Sequence, residues 1–146
     1  MNASSFAPLR TLQVVNVRWF NATAWYGLKL AHLLRRAGHE SHVAALAETD
    51  TFRKAEALGL DPVPLPLNAT NPLTLPALWA KMRRLLRDVR PHVVNCHRGE
   101  SFVFWGLLKE RGQYALVRTR GDQRLPKKNL PNRLLHAHAA DAVIAT

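Results

Sequence analysis

Two adjoining stretches decide the fold: LPALWAKMRRLLRDV (Leu75–Val89) and, directly after it, RPHVVNCHRGE (Arg90–Glu100). In the first, Leu75, Leu78, Trp79, Met82, Leu85, Leu86 and Val89 fall on one helical stripe, with Lys81, Arg83, Arg84 and Arg87 on the opposite face. Pro91 ends that helix, because proline lacks the amide donor and bars the residue before it from helical geometry. His92-Val-Val-Asn-Cys-His97 then reads as a short buried strand with a polar carboxyl end.

Working outward, the same alternation recurs. Leu12–Val17 is β-branched and mostly apolar, so it reads as a strand. Tyr26, Leu30, Leu33 and Ala37 then share one helix face, with Arg35 and Arg36 in the last turn and Gly38 as the closing residue. Ser41–Leu46 reads as a strand and Thr51–Leu58 as a helix stopped by Gly59. The prolines of Val63–Leu67 confine it to an extended or edge strand. Beyond His97, a helix over Phe102–Glu110 is closed by Gly112 and followed by a strand at Ala115–Arg118. A basic loop spans Thr119–Asn129, then a helix runs over Leu134–Ala140 and a last strand over Asp141–Thr146. Short connections between alternating strands and helices predict an α/β, Rossmann-like fold. Its mostly parallel sheet of about six strands has the first near the centre and helices on both faces. Residues 1–11 read as a flexible N-terminus and 12–146 as one domain. Val14, Val15, Val94, Leu116, Val117 and Ile144 are the expected core of the sheet.

Ligands of such sheets sit beyond the carboxyl ends of the strands, which directs attention to the loops after Val17, Leu46, His97 and Arg118. The first carries Asn21 and Thr23, which can cap the next helix or present its amide groups to an anion. His97-Arg98-Gly99-Glu100 offers hydroxyl-binding groups beside a glycine that admits close approach. Arg118, Arg120 and Asp122, with Arg124, Lys127, Lys128 and Arg133 beyond, suit a phosphate or sugar phosphate, or form a solvated basic loop. His97, Arg98, Arg118 and Arg120 are expected to line one concave face, because parallel strands deliver their loops to one edge.

Other chemistries are disfavoured. No dinucleotide fingerprint, phosphate-cradling Walker loop or serine elbow occurs. A single cysteine, Cys96, excludes an intrachain disulfide and multi-cysteine zinc sites, and its place in a strand reads as core. His39 and His42 lack a carboxylate or thiol at ligand spacing, and His136 and His138 diverge on a helix. No apolar run approaches the ~18 residues of a membrane span, and MNASSFAPLR has no secretory pattern, so a cytoplasmic protein is expected. On that expectation the sequons at Asn21 and Asn68 and the Arg120-Gly-Asp122 triplet are coincidental.

The 21 Lys and Arg residues against 10 Asp and Glu give a net charge of +11, which suits nucleic acid, an anionic membrane or phosphorylated small molecules, or arises from solvated arginines with no partner. Trp25, Tyr26 and Trp79 are expected to pack rather than to form a stacking platform, which argues against nucleic acid.

Gly27-Leu-Lys-Leu-Ala-His-Leu-Leu-Arg-Arg-Ala-Gly-His-Glu40, Arg90-Pro-His-Val-Val-Asn-Cys-His97 and Asp141-Ala-Val-Ile-Ala-Thr146 resemble, in order and spacing, the N-terminal domain of family-4-type glycosyltransferases with the GT-B fold. Asn21-Ala22-Thr23-Ala24 stands where that family usually has a Gly-Gly pair, and Asn95 replaces the first histidine of its H-x-H strand end. The resemblance implies the acceptor-side half of a retaining enzyme that builds a cell-envelope or surface glycan. The donor, a nucleotide sugar, would be a co-substrate held by a C-terminal domain, with no cofactor or metal on this half. The chain would then be a fragment or a stand-alone half, inactive by itself. His97 would be the catalytic residue contacting the sugar, and Asn21, Thr23, Arg98, Glu100, Arg118, Arg120 and Asp122 would bind substrate. Implied partners are a glycan or phosphorylated glycolipid acceptor and the inner face of an anionic membrane. The alternative is a non-catalytic anion- or nucleic-acid-binding module of the same fold.

Overall fold

The computed structural model describes residues 7–68, 71–110, 112–121 and 129–146. Among them six strands form one all-parallel sheet: β1 (Arg10–Val15), β2 (Glu40–Ala45), β3 (Val63–Pro64), β4 (Val93–Cys96), β5 (Ala115–Arg120) and β6 (Ala142–Ala145). Their order is β3-β2-β1-β4-β5-β6, so β1 is central and proline-bearing β3 is an edge, as expected. The connected helices are α1 (Ala22–Arg36), α2 (Asp50–Ala57), α3 (Leu75–Val89), α4 (Gly99–Leu108) and α5 (Leu130–Leu134), the last continued by a π-helical turn over Leu135–Ala139.

Strand alternation divides the interior. Leu12, Val14, Val94, Cys96 and Leu116 face α3 and α4 and pack with Met82, Leu86, Phe102 and Trp105. Val15, Val43 and Ala45 face α1 and α2, and pack with Ala24, Leu28, Ala31 and Ala55. Helices therefore cover both faces. The sheet reverses direction between β1 and β4, which run side by side while their onward connections diverge, and a ligand crevice forms at such a point.

The local signals act where the sequence put them. Asn21 caps α1 by accepting from the Ala24 amide at 3.1 Å. Gly38 and Gly59 take φ values of +88° and +68° just beyond α1 and α2, left-handed turns that glycine adopts without strain. Arg90, barred from helical geometry by Pro91, takes the left-handed conformation at φ 46° and closes α3.

Five expectations need correction. The buried face of α1 is Ala24, Gly27, Leu28 and Ala31. Leu33 is exposed, because small residues let the helix lie close on β1 and rotate the larger ones outward. Ile144 is 38% exposed and Val117 half-buried, since β6 is an edge strand open along its length. Trp25 is 54% exposed and does not pack, whereas Trp79 packs against the core. The strand at β1 starts at Arg10, with Thr11 buried, inside the stretch read as a flexible terminus. Finally, α4 begins at Gly99, so Gly99 and Glu100 form its first turn rather than a loop, and Glu100 complements the helix dipole.

Candidate functional site

Four buried polar side chains stand on the α1 face of the sheet at the switch point. Thr119 Oγ1 donates to Asn95 Oδ1 at 2.8 Å, Asn95 Nδ2 donates to Gln13 Oε1 at 3.1 Å, and Gln13 Oε1 lies 3.0 Å from His97 Nε2. The Gln13 oxygen can only accept, so His97 Nε2 carries the proton and donates. The His97 main chain is fixed as well, its amide donating to the Val14 carbonyl at 3.1 Å.

His97 is 3% exposed, and its Nδ1 has no hydrogen-bond partner among the described residues. Burial, reinforced by the Arg118 guanidinium, pushes the imidazole down to about 4. The ring is therefore neutral at pH 7, with an acceptor lone pair on Nδ1. It has no proton to give as a general acid and too little basicity to serve as an effective general base. Its chemical use is to accept a hydrogen bond, as from a hydroxyl.

The ring lines a cavity of about 250 Å³ with Thr23, Tyr26, Thr119, Gly121 and Thr146. Tyr26 leans on the imidazole at 5.9 Å between ring centroids, tilted by 59°. Gly27 is required here: a Cβ on it would sit 2.7 Å from Val15 Cγ2 and 3.2 Å from His97 Cδ2. The N-terminus of α1, with no acidic residue in its first turn, borders the same cavity through Ala22 and Thr23. Hydroxyl-bearing side chains and the neutral imidazole thus line one small cavity at the α1 N-terminus.

The arginines stand elsewhere. β5 continues to Arg120, so alternation applies to positions expected in a loop. Thr119 faces Asn95 on the α1 side, while Arg118 lies with Leu116 and Cys96 on the α4 side, and Arg120, two residues on, leaves that same face. Arg118 is buried and donates to the carbonyls of Cys96 at 3.1 Å and Thr119 at 2.6 Å. Arg118 thus starts on the opposite side of β5 from Thr119 and is held by main-chain carbonyls, while its guanidinium still acts on His97. Arg98 and Glu100 form an exposed ion pair at 3.1 Å, and the hydrogen bond from Arg98 holds the Glu100 carboxyl below its usual range. Of the remaining candidates, Thr23 lines the His97 cavity and Asn21 acts as a cap. Asp122, Arg124, Lys127 and Lys128 lie outside the described residues. No group of three His, Cys, Asp or Glu among the described residues could hold a metal ion. Cys96 is an inert core thiol that burial pushes up to about 12.

The family model described as Glycosyltransferase Family 4 matches residues 24–146. The chain belongs to glycosyltransferase family 4. No curated protein matches this family-4 domain. Among solved structures, a glycosyltransferase from Rickettsia africae superposes with a TM-score of 0.73 at 13% identity, over 96% of this chain and 37% of its own. MurG of Acinetobacter baumannii gives 0.70 at 11% identity, over 95% and 41%. HepE of Anabaena, solved in complex with UDP and glucose, gives 0.69 at 14%, over 92% and 37%. These likenesses carry the GT-B fold, and the chain spans about two fifths of the length of those structures.

Sequence reasoning pointed to His97 and Thr23, which line this cavity, but missed Gln13, Tyr26, Gly27, Asn95, Thr119 and Thr146. A signal for two of them was present. Gln13 and Asn95 are amides inside otherwise apolar strands, and a buried amide needs a partner.

Proposed function

We propose that this domain is the acceptor-side wall of a retaining glycosyltransferase, which transfers a sugar from a nucleotide sugar to a glycan or phosphorylated glycolipid of the cell envelope. The observation that carries the reading is the neutral, buried His97, whose Nδ1 is without a partner beside a cavity bordered by the α1 N-terminus. A sugar hydroxyl would donate to Nδ1, and the helix N-terminus would favour the negative charge of the departing diphosphate. Gln13, Asn95 and Thr119 hold the imidazole tautomer, so the acceptor lone pair is set before the sugar arrives.

The described cavity residues include no carboxylate, serine or thiol to act as a nucleophile. That favours a mechanism in which protein groups position the reactants while the leaving diphosphate takes the acceptor proton. The UDP and glucose bound by HepE favour a nucleotide sugar as donor. In this reading a second, nucleotide-binding domain completes the cleft, and the isolated chain does not turn over. The exposed cations Lys81, Arg83, Arg84 and Arg87 on α3 suit docking at the cytoplasmic face of an anionic membrane. No helix among the described residues is long and apolar enough to cross one.

The test is nitrogen NMR of the histidine rings during titration with UDP-glucose and other nucleotide sugars. The expected result is a shift of the His97 Nδ1 resonance with at least one nucleotide sugar, absent with the free nucleotide. No response of His97 to any nucleotide sugar would contradict the reading.

A further inference from the structure

A cavity of about 770 Å³ lies apart from the His97 site. It opens at the carboxyl ends of β1, β2 and β3 and is lined by Arg18 and Trp19 after β1, Glu48 after β2, Asn68 after β3, and Lys81 of α3. We propose that it binds a phosphorylated saccharide, with Trp19 stacking on a sugar ring, Glu48 and Asn68 meeting hydroxyls, and Arg18 and Lys81 holding the phosphate.

Trp19 is 74% exposed, the full face of an indole left in water at a cavity wall, and a sugar's C–H face covers such a surface. Arg18 and Lys81 have no ion-pair or hydrogen-bond partner among the described residues, unlike Arg53 nearby, which pairs with Asp50 at 2.7 Å. The Glu48 carboxylate likewise has no partner there, and Glu48 is held at φ 59°, a left-handed conformation that costs a non-glycine residue energy and clusters at binding loops. Behind the wall, Asn16 is 1% exposed and donates to Asn68 Oδ1 at 2.9 Å, while its own Oδ1 has no partner. Asn16 thereby fixes the Asn68 amide, leaving the Asn68 nitrogen as a donor for a ligand.

The mixed charge selects the ligand class. A nucleic acid would bring phosphates against Glu48 and Asp50, whereas a saccharide with one phosphate offers hydroxyls to the carboxylate and one anion to the cations. The volume fits a ligand of a few sugar rings. Naming this saccharide the acceptor rests on the proposed function; its binding does not.

The experiment titrates the labelled chain with α-glucosyl phosphate, with methyl glucoside and inorganic phosphate as separate half-probes. Phosphatidylcholine vesicles carrying polyprenyl-phosphate glucose test a lipid-borne source. Glucosyl phosphate should bind better than either half-probe. Arg18→Ala and Lys81→Ala should each weaken it about tenfold, as for a lost charged hydrogen bond, and Trp19→Ala should weaken it several-fold. Response to vesicles alone would assign the ligand to a lipid. Arg18→Lys should restore part of the binding lost in Arg18→Ala. Absence of binding in both arms, phosphate binding as well as glucosyl phosphate, or insensitivity to Arg18, Lys81 and Trp19 would each overturn the assignment. A silent His97 with this binding intact would remove the proposed function and leave this site. The reverse result would remove only this site.

Discussion

At the carboxyl end of β4, the two faces of the sheet differ in kind within consecutive residues. Cys96 packs with Phe102 and Trp105 in an apolar layer under α4. Asn95 and His97, on either side of it, face α1 and join Gln13 and Thr119 in a hydrogen-bonded network. The α4 face gains stability by removing apolar surface from water. The α1 face buries amides and an imidazole at a cost that only complete pairing offsets, yet leaves His97 Nδ1 without a partner. Trp105 Nε1 on the α4 face is likewise without a partner among the described residues, but the His97 ring also lines a cavity.

The contrast can be broken from the apolar side first. Trp105 is fully buried, so Trp105→Ala should cost about 3–5 kcal/mol in urea unfolding, the range for truncating a large core aromatic. On the polar side, Gln13→Leu keeps volume but strands the Asn95 and His97 donors, and should cost roughly 1–3 kcal/mol in the same assay. It should also free the His97 tautomer, which Trp105→Ala should not. If Gln13→Leu were neutral, the network would not be paired as described.

Much of the fold was legible because its strands are short β-branched runs and its helices end in glycine or proline. Gly38, Gly59 and Pro91 act as their chemistry requires. The face of α1 was not legible. Large apolar residues dominate a periodicity reading, but Gly27 and Ala31 make the contact because their smallness admits β1. Ile144 looked like core because composition does not reveal that a strand lies at an edge. His97 was legible from its place at the mouth of a parallel sheet. The placement of Arg118 was not legible, because β5 runs two residues past it. Alternation therefore starts Arg118 on the side of β5 opposite Thr119, with its guanidinium held by main-chain carbonyls. The network partners were not legible, because Gln13 and Asn95 lie inside strands rather than in the loops at the sheet's edge.

The central claim is that His97 is a neutral hydrogen-bond acceptor held ready at the switch point. Because its folded pKa is lowered from 6.5 to about 4, the unfolded chain takes up this proton first as pH falls. Stability should therefore drop from pH 6.5 towards 4, by up to about 3 kcal/mol, and the drop should be smaller in His97→Gln. Nitrogen NMR of the His97 ring across this range is the most direct measurement. A protonated Nε2 and a bare Nδ1 are expected at neutral pH, with the second proton added only near pH 4. A ring that titrates near 6.5, or that carries its neutral-state proton on Nδ1, would contradict it.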